Sequence, residues 1–144
     1  MAEQICSFRE LRVYQEMFAL QQDIFTASRN WPREEQFALT DQIRRSSRAM
    51  GANVGEAWAK RRYPAHFLSK LTDADGEVQE TSHWLATAFA CGYLTASSHE
   101  MFGARLESIG KMLGKMMSKP ETFIPRTVIP PSGFRPLPSA LRRP

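Results

Sequence analysis

The chain has 144 residues, 42% of them hydrophobic and 24% charged, with a formal net charge of +4. That is length enough for one domain with its own core, a composition that excludes fibrous or wholly disordered chains, and a charge too mild to indicate nucleic acid by itself. Cys6 and Cys91 are too far apart for metal or redox spacing and suit a reducing cytosol; with no charged-then-apolar leader at the start and no apolar run of the ~20 residues a membrane span needs, the expected location is cytoplasmic, without a membrane partner.

Four helices are predicted in chain order, followed by a tail. The first runs from about Phe8 to Ser28. Leu11, Tyr14, Phe18 and Phe25 share one arc, and Val13, Met17, Leu20 and Ile24 continue it. Such a face covers about half the circumference and implies two packing neighbours. The second helix runs from Arg33 or Glu34 to about Arg62, where Tyr63-Pro64 stops it. The third spans about Ala65 to Cys91, with Phe67, Leu71, Ala74, Val78, Leu85 and Phe89 as its seam and Gly92 as its cap. The fourth opens with Ser97-Ser-His-Glu100, which reads as a capping box. Phe102, Leu106, Ile109, Leu113 and Met116 line its inner face, and it ends at Lys119-Pro120. Seven of the nine prolines fall in the last 25 residues, so 120–144 is expected to be a flexible or surface-draped basic tail. Short loops joining four helices imply an all-α, antiparallel up-down-up-down bundle over residues 1–119.

Helix 2 carries the main functional candidate. Arg44, Arg45, Arg48 and Arg62 fall within an arc of about 100°, opposite Ile43, Met50, Val54 and Ala57. Lys60 and Arg61 complete a set of six of the chain's 19 basic residues and point elsewhere on the wheel. A basic stripe on a helix surface suits a polyanion, RNA above all. It also suits acids on a protein surface, and Asp73, Asp75, Glu77 and Glu80 make helix 3 acidic. Both readings stand at this point. Glu56 and Lys60 are spaced as a helix ion pair.

The order of short motifs adds a resemblance. Phe8-x-x-Leu11-x-Val13-Tyr14 opens helix 1; Phe37-x-Leu39-Thr40-x-Gln42-Ile43-Arg44-Arg45-Ser46 opens helix 2; Asn53-Val-Gly-Glu56-Ala, Phe67-Leu-x-x-Leu71 and Gly92-Tyr93-Leu94 follow. Over roughly residues 8–119 the chain resembles the four-helix-bundle family of 23S rRNA intervening-sequence (S23) proteins. That family usually reads Asn-Ile-Ala-Glu-Gly where this chain has Asn53-Val-Gly-Glu-Ala57. The resemblance implies a four-helix bundle assembled as a ring, with a pentamer preferred, and an association with RNA. A related branch, the accessory variability proteins of diversity-generating retroelements, implies a protein partner such as a reverse transcriptase.

Gly51, Gly55 and Ala59 recur at four-residue spacing. Each mid-helix glycine costs about 1 kcal/mol relative to alanine, so the backbone of a neighbouring helix is expected to approach closely there, within the subunit or from the next one. Trp84 lies outside the helix 3 seam and is a candidate interface anchor, unless Phe123, Ile124, Phe134 or Leu137 of the tail covers it. Asn53 is expected to hydrogen-bond at the core edge and fix helix register. Glu80-x-x-His83 is half of a di-iron motif with no second half, so no metal or other cofactor is expected. No nucleophile–base set or phosphate loop stands out, and the chain is read as non-enzymatic. Two functions follow: a ring-forming RNA-associated protein, or a protein-binding scaffold or accessory subunit.

Overall fold

In a computed structural model, which describes residues 5–124, four helices carry the architecture: α1 (Arg12–Ser28), α2 (Asp41–Ala59), α3 (Pro64–Ala90) and α4 (Ala96–Ser118). Each packs on its neighbours in sequence, α2 most extensively on α3, and α4 returns to α1. This is the up-down-up-down four-helix bundle that short connections dictate. Among the described residues there is no strand.

The core follows the 3.6-residue period. Val13, Met17, Leu20 and Ile24 of α1 meet Ile43, Met50, Val54 and Ala57 of α2, Phe67, Leu71, Ala74, Val78 and Leu85 of α3, and Phe102, Leu106, Ile109, Leu113 and Met116 of α4. The second apolar arc of α1 stays outside: Phe18 is 47% exposed, and Tyr14 and Phe25 are half-buried. An Arg105–Asp23 ion pair at 2.7 Å ties α4 to α1.

Several boundaries differ from the sequence expectation. Helix 1 does not begin as α-helix at Phe8. Ser7 Oγ accepts from the Arg9 N–H at 3.2 Å, and the Glu10 carboxylate accepts from the Cys6 N–H at 2.7 Å and the Ser7 N–H at 3.3 Å. This capping box closes a 3-10 turn, Phe8–Glu10, and an extended, buried Leu11 separates it from α1. Helix 2 is likewise not continuous from Arg33. A 3-10 turn, Arg33–Glu35, and a π-turn, Gln36–Thr40, precede it. In this wide turn Leu39 and Thr40 are buried while Phe37 is 75% exposed.

α2 also stops three residues early. Beyond Ala59 the Lys60 N–H donates back to the Glu56 and Ala57 carbonyls. Arg61 Nη1 donates to the Trp58 carbonyl at 2.8 Å, and its guanidinium lies 4.0 Å over the Trp58 ring. A basic side chain that satisfies the last carbonyls ends a helix. α3 then starts with Pro64 in its first turn. It ends in a Schellman turn: Tyr93 N–H to Ala88 O at 2.9 Å, Gly92 N–H to Phe89 O at 3.0 Å, and Gly92 at φ 83°.

Inside α3 the buried seam continues through Thr81, Leu85 and Ala88. Phe89, expected in that seam, is 40% exposed and stacks on His99, with centroids 4.5 Å apart. Thr81 Oγ1 donates to Ser46 Oγ at 2.9 Å, a buried polar contact across α2 and α3. Helix 4 is capped by Thr95, whose Oγ1 accepts from the Ser98 N–H at 3.1 Å, and not by the predicted Ser97–Glu100 box. After α4 a short turn, Pro120–Thr122, brings Phe123 to 6.3 Å from the Phe67 ring. Phe123, the first aromatic of the expected tail, thus packs on Phe67. The rest of the expected tail, with Phe134 and Leu137, lies outside the described residues.

Candidate nucleic-acid interface

The half-buried Phe25 ring marks the place where α1 and α2 bring cations together. Arg44 lies 4.7 Å from its centroid, Arg48 5.5 Å, and Arg29, just past the end of α1, 6.0 Å. Arg44 Nε donates to Ser28 Oγ at 2.9 Å, and Ser28, 2% exposed, donates on to the Phe25 carbonyl at 3.0 Å. That relay fixes the guanidinium plane and leaves the outward nitrogens without a protein acceptor among the described residues. The ion pairs among those residues use Lys70, Arg105 and Lys111, so among the described residues no carboxylate lies within 4 Å of Arg29, Arg44 or Arg48. Each cation–π contact at an exposed site is worth about 0.5–1 kcal/mol, while three like charges around one ring repel. An anion relieves that repulsion.

The other members of the predicted stripe go elsewhere. Arg45 is exposed and outside the Phe25 cluster, makes no ion pair among the described residues, and has only a minor lowering effect on the pKa of Glu77 of α3. Lys60 caps α2, Arg61 is held on Trp58, and Arg62 is exposed in the turn after the helix. At about 1.5 Å per residue, Ala59 already lies about 22 Å from Arg44, so Arg62 does not extend the cluster. Arg29 was not singled out from sequence. Its one signal was the i,i+4 spacing to Phe25 at a helix end.

A groove of about 530 Å³ runs from Arg48 along the outer side of α1 and α2, walled by Phe8, Tyr14 and Phe18 and floored by Gly51, Ala52 and Gly55. A Cβ on Gly51 would stand 3.2 Å from the Tyr14 ring, and one on Gly55 3.6 Å from the Phe8 ring. The expected approach of another helix backbone is not what these glycines permit here: aromatic side chains of the same chain lie against them. Glu56, at the groove's edge, pairs with Lys70 at 2.8 Å and not with Lys60; that hydrogen bond and charge lower its pKa and raise that of Lys70. Asn53 Nδ2 donates to the Ala49 carbonyl at 3.0 Å, within its own helix, so it fixes no inter-helix register.

On α3, Trp84 is partly buried against the core. Its Nε1 donates weakly to Glu80 at 3.4 Å, and His83 meets its ring edge-on at 4.7 Å. Both residues of Glu80-x-x-His83 are thus engaged by Trp84, and among the described residues no three metal-ligating side chains converge. Burial, then a hydrogen bond and repulsion from Glu80 and repulsion from Asp73, raise the pKa of Glu77 against the opposing pull of Arg45. A raised carboxyl pKa contributes stability below the unfolded pKa that is lost as pH climbs through the folded value. Glu77→Gln is therefore expected to raise the urea midpoint at about pH 8 and to have little effect near pH 4. Equal shifts at both pH values would contradict this.

No helix among the described residues is long and apolar enough to cross a membrane. Residues 9–115 match the family of 23S rRNA-intervening sequence proteins. The chain is also similar to the crystal structure of a protein of unknown function from the S23 ribosomal protein family of Bacteroides thetaiotaomicron. The TM-score is 0.67 at 27% identity, over 74% of this chain and 95% of that one. No curated protein matches significantly.

Proposed function

The chain belongs to the 23S rRNA-intervening sequence protein family, and from that premise we propose that it is a non-enzymatic, ring-forming protein that binds RNA through the arginines on α1 and α2. The observation that carries this reading is the Arg44 guanidinium, oriented by Ser28 over Phe25 beside Arg29 and Arg48, with no carboxylate partner among the described residues. Cations fixed in place and left without acids are what a phosphate backbone needs. Filter binding of RNA at several salt concentrations tests it: alanine at Arg29, Arg44 and Arg48 should weaken binding and flatten its salt dependence. Unchanged binding with an intact oligomer would sink the reading.

Ring formation multiplies one weak site into several that act together. The apolar surface that one bundle leaves uncovered supports it: Phe37 is 75% exposed, Met101 47% and Phe89 40%, and Trp84 on α3 is partly exposed. Exposed apolar patches mark interfaces, and head-to-tail contacts close into rings when the rotation permits. Contacts through the α3–α4 face would leave the arginine cluster open to solvent. Light scattering of the full chain should give a multiple of its 16.4 kDa mass, five subunits being the preferred number. A truncation after Ile124, which keeps Phe123 on Phe67, should give the same assembly. A monomer at micromolar concentration refutes the ring; loss of the oligomer only in the truncation moves the interface to the tail.

A further inference from the structure

We propose that the groove beside the arginine cluster accepts the unstacked bases of a single-stranded polynucleotide, so that the nucleic acid taken by this face is single-stranded and not duplex. This rests on the polyanion reading above and names its ligand class. The groove and the cluster are one continuous surface, because Arg48 both lines the groove and lies 5.5 Å from the Phe25 centroid.

Seven residues separate Phe18 from Phe25 on α1, about 10 Å along the helix. A base on Phe18 and a phosphate at the cluster then belong to neighbouring nucleotides. Phe18 is 47% exposed, and its ring is already stacked with Tyr14, centroids 6.1 Å apart and planes 29° from parallel. A flat aromatic face that is held in place and wet on one side is a stacking platform, and every base has a face to offer it. The open part of the floor is the exposed Ala52, whose small side chain leaves space for a planar ring beside Phe18, while Gly51 and Gly55 let the Tyr14 and Phe8 rings lie close against α2. Glu56, the acid at the groove's edge, is paired with Lys70 at 2.8 Å, which weakens its repulsion of a phosphate backbone. In a duplex the bases are stacked inside and unavailable to Phe18, so it could engage the arginines but not the groove. An acidic peptide matches the arginines yet gives the aromatic wall no planar partner.

The test uses the full chain, an unstructured single-stranded RNA carrying 2-aminopurine, and a duplex RNA of equal length. Phe18→Ala should weaken single-strand binding about tenfold, the scale of one base–aromatic stack, while leaving its salt slope and duplex binding unchanged. It should also abolish the 2-aminopurine quenching seen with the native chain, and Phe18→Trp should retain both affinity and quenching. Since Phe18 lies outside the buried core, neither variant removes core packing. Equal effects of Phe18→Ala on single strand and duplex, or quenching that survives it, overturn the inference. If Arg44→Ala/Arg48→Ala weakens both RNAs while Phe18→Ala changes nothing, the single-strand inference fails and the polyanion reading stands. If the native chain binds neither RNA, the polyanion reading fails and this inference with it. Polyglutamate that competes as well as RNA and shows the same dependence on Phe18 assigns the groove to a protein and overturns the inference.

Discussion

Phe67→Ala is expected to cost about 3–5 kcal/mol, the range for deleting a fully buried aromatic ring. Phe67 is 0% exposed. It sits one turn into α3, facing the core on one side and Phe123 at 6.3 Å on the other. The loss combines a large transfer term with a cavity at the end of the bundle, where α3 begins and the turn after α4 closes over it. Against a typical total stability of about 5–15 kcal/mol, such a variant is left marginal. At about 3 °C per kcal/mol for a chain of this size, the thermal midpoint should fall by about 10–15 °C. Phe67→Leu, which keeps much of the volume, should cost far less, and Phe123→Ala should remove only the outer contact. A Phe67→Ala midpoint within a few degrees of the parent would mean that this ring does not anchor the bundle.

The largest functional effect is expected from replacing Arg29, Arg44 and Arg48 together. Each phosphate contact to a single strand contributes about 0.7 to the slope of log affinity against log salt. Losing three should lower the slope by about 2 and, at about 0.1 M salt, the affinity by about a hundredfold. The fold should survive, because none of the three belongs to the buried core. The Ser28 hydroxyl keeps its bond to the Phe25 carbonyl when Arg44 is removed. Arg45→Ala should do much less to RNA affinity, since Arg45 does not join the contacts around Phe25. If Arg45→Ala matches the triple variant, the phosphate path runs along α2 toward α3 and not over Phe25.

Most of the bundle was legible in the sequence, because buried positions on an isolated helix obey its own period. The inner faces of α1 and α4, and α3 as far as Leu85, are the predicted ones. Misjudged features depended on contacts between elements. Phe89 and Ala88 differ by one position on the wheel, and His99 of α4 draws Phe89 outward. Glu56 had an acceptable partner at Lys60, yet Lys70 arrives from α3 at 2.8 Å. The turn at Gln36–Thr40 has no composition signature, whereas the Ser7–Glu10 capping box carries one, Ser-x-x-Glu. The site divides in the same way. Arg44 and Arg48 were visible as a basic stripe, but their convergence on Phe25 together with Arg29 comes from α1 and cannot be read from α2 alone. Phe18 and Tyr14 looked like core by periodicity, and the wide apolar face of α1 was the one hint that part of it serves the surface.

The most direct measurement of polyanion binding by this face is the affinity of the full native chain for an unstructured single-stranded RNA between about 50 and 300 mM salt, set beside the Arg29, Arg44 and Arg48 triple alanine variant. Binding that weakens with salt at a slope of about 2 or steeper, and a slope lower by about 2 in the variant, is the expected result. Affinity independent of salt, or an identical slope in the variant with its fold intact, would contradict it.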